Sequence, residues 1–121
     1  MFLLPETVAH QDGKGPETIL NQSGTLLQLN LAITRIIEDE CLEVSLWGSS
    51  DRHHWRKLAA FPQKFYCGDY SLMLDLSLHP EVRYLRAHWK MDCRSPGSSR
   101  KPLFGFHLSL EQMRVQHAGA V

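Results

Sequence analysis

Two runs decide the fold: Leu42-Glu43-Val44-Ser45-Leu46-Trp47-Gly48-Ser49-Ser50-Asp51, and Val82-Arg83-Tyr84-Leu85-Arg86-Ala87-His88-Trp89-Lys90-Met91. In the first, Leu42, Val44 and Leu46 share one parity and Glu43, Ser45 and Trp47 the other. In the second, Leu85, Ala87, Trp89 and Met91 oppose Tyr84, Arg86, His88 and Lys90. Side chains of a strand point alternately to its two faces, so this period marks strands with one face in a core. Gly48 to Asp51 closes the first strand with residues that hydrogen-bond locally and favour turns.

Working outward, the same alternation recurs. Leu27, Leu29, Leu31, Ile33 and Ile37 share a parity within Thr25 to Ile37, and the charged run Glu38-Asp39-Glu40 reads as a turn. Trp55, Leu58 and Phe61 form a short third segment closed by Pro62, which cannot donate to a central ladder. Tyr70, Leu72, Leu74, Leu76 and Leu78 alternate with Ser71, Met73, Asp75 and Ser77 before a turn at His79-Pro80-Glu81. Phe104, Phe106, Leu108 and Leu110 set the inward face of a last strand, after a Ser-, Pro- and Gly-rich loop from Cys93 to Lys101. Phe2-Leu3-Leu4 reads as a short edge strand in an otherwise irregular segment 1–23, with a flexible turn from His10 to Pro16; a strand starts near Thr18, and Asn21 to Gly24 is a turn. Residues 113–121 read as a frayed tail. Strands without a helical pattern predict an all-β fold, an antiparallel two-sheet β-sandwich of jelly-roll-like form, with Trp55 and Trp89 as core anchors.

The totals bound the function. A chain of 121 residues accommodates a single domain over 1–121, and a 43% hydrophobic fraction lies outside the disordered regime. Lys and Arg number 13, Asp and Glu 13, so no clustered positive charge argues for nucleic acid or an anionic membrane as partner. Cys41, Cys67 and Cys93 are odd in number, which predicts reduced structural thiols. Met1 to Leu4, stopped by Pro5, lacks the basic and apolar regions of a secretory signal, and no apolar run is long enough to span a bilayer. The expected location is the cytoplasm, with association with a virion as the alternative.

The strand ending in Leu46-Trp47-Gly48-Ser49-Ser50-Asp51, then Trp55, Leu58 and Phe61, then Arg83-Tyr84-Leu85-Arg86, resembles discoidin-like, galactose-binding-like domains over roughly residues 42–90. The resemblance implies a jelly-roll sandwich and a binding role. Physical reasons for the pattern exist without it: Gly48 relieves crowding, Asp51 caps the turn through its carboxylate, and Trp55 closes one end of the core.

Candidate site residues fall into two groups. Asp51, His53 and His54 crowd one turn, but adjacent histidines rarely converge on one ion, and calcium requires six or more oxygens, so solvated turn residues without metal are the expectation. Trp47, Arg86 and His88 project outward beside Glu43, Ser45 and Lys90, and exposed Trp and Arg are enriched in recognition surfaces. The bland alternative is that Trp47 finds cover and the charges form a solvated face. No nucleophile elbow, phosphate loop or dinucleotide fingerprint occurs, so neither catalysis nor a cofactor is expected. The reading is a non-enzymatic binding or assembly module, a subunit of a larger bacterial or phage-derived complex with a protein partner or a second copy. Its alternative is a carbohydrate-binding domain that uses the turn tips and an exposed aromatic.

Overall fold

The computed structural model describes residues 2–9, 11–20, 26–36, 41–62, 66–91 and 103–113. Their strands are β1 (Phe2–Ala9), β2 (Gly13–Lys14), β3 (Thr18–Ile19), β4 (Leu26–Ile36), β5 (Glu43–Ser49), β6 (Arg56–Ala60), β7 (Gly68–Asp75), β8 (Tyr84–Lys90) and β9 (Phe104–Met113). A four-stranded sheet has the order β1-β9-β4-β7, and the second sheet runs β2-β8-β5-β6 with β3 also on β8. All pairings are antiparallel, so the expected all-β sandwich is what the chain forms.

The core lies where the inward parities meet. Leu27, Leu29, Leu31 and Ile33 of β4 and Phe104, Phe106, Leu108 and Leu110 of β9 face Leu42 and the inward residues Val44 and Leu46 of β5, with Leu85 and Ala87 of β8. Fully burying such a side chain stabilises by roughly 1.5–3 kcal/mol relative to exposure. Strand β9 is central, paired with β1 on one side and β4 on the other. Trp89 packs at the core margin, its ring edge-on to Phe106 with centroids 5.5 Å apart.

Several expectations are corrected. The edge strand at Phe2–Leu4 continues to Ala9, and the supposed flexible turn His10 to Pro16 supplies β2. Gly13 permits this, because a Cβ there would lie 2.4 Å from the Trp89 indole. The alternation from Tyr70 to Leu78 breaks at Asp75, whose carboxylate accepts the Ser77 amide at 2.9 Å and starts a 3-10 turn over Leu76–Leu78. Leu78 therefore points outward and is 74% exposed. Trp55 is not a core anchor; it is half-buried on the outer side of the five-stranded sheet, under a guanidinium. The strand predicted to end at Leu110 reaches Met113. Cys41 is buried and disulfide-bonded rather than reduced, whereas Cys67 is free and exposed. The turns at Asn21 to Gly24 and Glu38 to Glu40, the inward Ile37, the loop Cys93 to Lys101 and most of the tail lie outside the described residues.

Packing separates three substitutions. Trp89→Ala is expected to destabilise by about 3 kcal/mol, near the low end for a large aromatic because the ring is only half-buried. Trp55→Ala forfeits an exposed-side cation–π contact and is expected to cost no more than about 1 kcal/mol. Gly48→Ala places a Cβ 2.9 Å from the stiff Val82 side chain and 2.6 Å from Leu58, an overpacking worth about 1–3 kcal/mol. Urea unfolding of the three variants checks this order. Equal losses for Trp55→Ala and Trp89→Ala would restore Trp55 to the core.

Candidate functional site

Parity places the outer face of the five-stranded sheet. In the β5–β8 register Ser45 pairs with His88 and Trp47 with Arg86, and Trp47 also pairs with Lys57 of β6. These side chains form a continuous ladder. Trp47 stacks on His88 with centroids 4.5 Å apart and planes 12° from parallel. Its indole Nε1–H donates to Ser45 Oγ at 2.9 Å, and Lys57 Nζ stands 5.9 Å from its ring centroid. Arg86 Nε–H donates to His88 Nε2 at 3.1 Å, and the guanidinium carbon sits 4.1 Å above the Trp55 ring. Glu17, between β2 and β8's other partner β3, takes an ion pair with Arg52 at 2.7 Å and a longer one with Arg86 at 3.9 Å.

His88 is electrostatically set by this neighbourhood. Burial, then the positive charges of Arg86, Lys14 and Lys57, push its pKa down to about 4. It is neutral at physiological pH, and because Nε2 accepts from Arg86 the proton sits on Nδ1. A neutral imidazole also suits the parallel stack on Trp47.

The loop Ser50–Trp55 is built on Asp51. Its Oδ1 accepts the amides of His53 and His54 at 2.8 and 2.9 Å, and its Oδ2 meets His54 Nδ1 at 2.8 Å. These contacts, led by the His54 side chain, hold the Asp51 carboxyl well below the usual carboxylate range. Ser49 Oγ donates to Asp51 at 3.0 Å and accepts the Arg52 amide at 2.9 Å. In this arrangement the carboxylate, not the imidazole, is next to the hydroxyl, and its lowered pKa makes it a weak base toward Ser49. Arg52 takes the left-handed conformation with φ 69°, a strained setting for a non-glycine residue, and its guanidinium lies 5.3 Å from the Tyr84 ring centroid. Trp55 Nε1–H closes the loop on the Arg52 carbonyl at 3.2 Å.

Of the six residues singled out from sequence, Trp47, Arg86 and His88 meet in one network. Asp51 organises the adjoining loop, and His53 and His54 are exposed on it. Among the described residues, no three His, Cys, Asp or Glu side chains converge as a metal site. Sequence reasoning missed Trp55, Lys57, Glu17 and Lys14. Lys57 was accessible in principle as the hairpin neighbour of Trp47; Glu17 and Lys14 depend on where β2 and β3 dock, for which no local pattern exists.

Beside the ladder opens a cleft of about 450 Å³ between β2, β5, β6 and β8. Lys14, Lys57 and Lys90 line it with Glu43, Trp47 and His88. Its volume falls in the range of small-molecule sites. No protein-family model matches the chain, and no curated protein and no solved structure matches it.

The His88 field has a measurable consequence for stability. Between the ordinary imidazole value of 6.5 and about 4 the unfolded chain binds a proton at this position that the folded chain does not. Stability therefore falls as pH drops through that window, and the His88 contribution levels off on either side of it. His88→Gln should flatten this part of the melting curve against pH, and an imidazole titration by NMR should place the wild-type midpoint near 4. Asp51 and Asp75, both lowered, act only in the more acidic carboxylate range and so do not obscure it. A His88 midpoint at the ordinary value would contradict the buried, cation-flanked setting.

Proposed function

We propose that the chain is a non-enzymatic binding module whose recognition surface is the outer face of the five-stranded sheet. One observation carries the reading: the lysine-lined cleft opens directly beside the pre-ordered Trp47–His88–Arg86 ladder. Side chains that hold one another in place lose little conformational freedom on binding, which favours affinity. The geometry favours a small ligand over the assembly reading. A concavity of about 450 Å³ suits a compact molecule, whereas a stable protein interface needs about 800 Å² of contact on each partner. The likeness to galactose-binding-like domains over roughly residues 42–90 supports a carbohydrate among the ligand classes, with the sheet face and the Asp51 loop tip as the two places to look.

The test pairs light scattering with a thermal-shift screen of sugars and small metabolites. The protein is expected to remain monomeric at mildly acidic and mildly alkaline pH, and at least one compound is expected to raise its melting temperature. Trp47→Ala should weaken that compound at least roughly tenfold with little change in the unliganded melting temperature. A stable dimer that Trp47→Ala dissociates would replace this reading with the assembly one.

A further inference from the structure

We propose that the cleft between β2, β5, β6 and β8 takes a ring-shaped ligand bearing one acidic group, of the uronic-acid class, with its carboxylate between Lys14 and Lys57. The inference rests on the ligand-binding reading above and adds the chemistry of the ligand.

The cleft carries a small excess of positive charge, with Lys14, Lys57 and Lys90 against two carboxylates. Its carboxylates are Asp12 and Glu43. Asp12 Oδ1 is occupied by the Met91 amide at 2.7 Å. Glu43 lies opposite Lys90 in the β5–β8 register, so those two charges offset each other. Lys14 and Lys57 remain, on strands at opposite sides of the sheet, with His88 between them on β8. Burial is the first cause of the lowered His88 pKa, followed by Arg86, and Lys14 and Lys57 add to the same positive field. With Asp12 as the remaining anion, these two amines leave one positive charge in excess. An anionic group between them offsets that excess.

Shape and the remaining lining choose the rest of the ligand. The Trp47 ring has His88 stacked on one side and Lys57 nearby, so it offers an edge rather than a free face for a nucleobase. Nucleic-acid bases need such a face. Ala60 and the edge of Trp47 give the cleft apolar area, and Glu43 and Ser45 supply hydroxyl partners. A sugar ring presents both kinds of surface. Only a modest excess of charge is available, which favours one acidic group over a polyphosphate.

The experiment is NMR titration of the intact chain with glucuronate, glucose and inorganic sulfate, following the Trp47 indole and the His88 ring. Glucuronate is expected to shift both signals saturably and to raise the His88 midpoint, because the bound carboxylate offsets Lys14, Lys57 and Arg86. Glucose and sulfate are each expected to bind at least roughly tenfold more weakly, lacking the charge and the ring respectively. Lys14→Met and Lys57→Met should each weaken glucuronate by roughly tenfold, with unchanged melting, since both are surface side chains. Equal affinity for glucose and glucuronate would overturn the acidic requirement while leaving the binding reading intact. Sulfate matching glucuronate would reduce the cleft to a plain anion site and also overturn the proposal. Silence of both reporters toward all three, with a screen hit that does move them, would likewise reject this ligand class and keep the module; silence toward every hit would remove the cleft from the function altogether.

Discussion

Leu46 pairs with Ala87 across β5 and β8, and both side chains are buried in the core. That pairing, repeated by Val44 against Trp89 and Gly48 against Leu85, fixes what the other face carries. With Leu46 and Ala87 inward, Trp47 must stand opposite Arg86 and Ser45 opposite His88. A slip of one residue would turn Arg86 and Glu43 toward the core, where an unpaired charge is far more costly than a lost apolar contact. The core thus specifies which side chains the outer face carries without any residue of that face contributing to it. Gly48 extends the same constraint to the hairpin, since only a residue without Cβ lets β5 approach Leu58 and Val82.

On that face Arg86 is the fixed term. Its side chain is only 17% exposed, and its nearest carboxylate, on Glu17, is 3.9 Å away. A guanidinium does not release its proton, so the neighbours adapt to it. Trp55 supplies a ring face, and His88 supplies a lone pair and remains neutral. Neutrality of His88 in turn keeps its stack with Trp47 free of a second cation. Glu17 then ties the ladder to the Asp51 loop through Arg52, which accepts a left-handed backbone to reach it. The strained residue and the ladder belong to one connected set of contacts.

Strand parity was legible because it is local: each inward Leu, Val or Phe of β4, β5, β8 and β9 can be assigned from its immediate neighbours. Trp47, Arg86 and His88 followed from the same parity. The failures share a different origin. Trp55 reads as a core aromatic by type, yet its place depends on a guanidinium about thirty positions along the chain, which no local pattern reveals. The same holds for β2 and β3, short pieces held to β8 by Gly15 and Leu20 backbone hydrogen bonds of 2.8 Å. Leu78 kept its period in sequence but lost it in space when Asp75 capped a turn. The disulfide at Cys41 could not be inferred from an odd count, because parity of number excludes complete pairing but not one pair.

Trp47 is an outer-face aromatic that the fold itself already engages. An exposed indole face is the usual reason to expect sugar stacking, but here His88 covers one side and Lys57 stands near the ring. The ring becomes a spacer that holds the two flanking groups apart. The open cleft of about 450 Å³ lies directly beside this closed ladder, with Lys14, Lys57 and Lys90 in its lining.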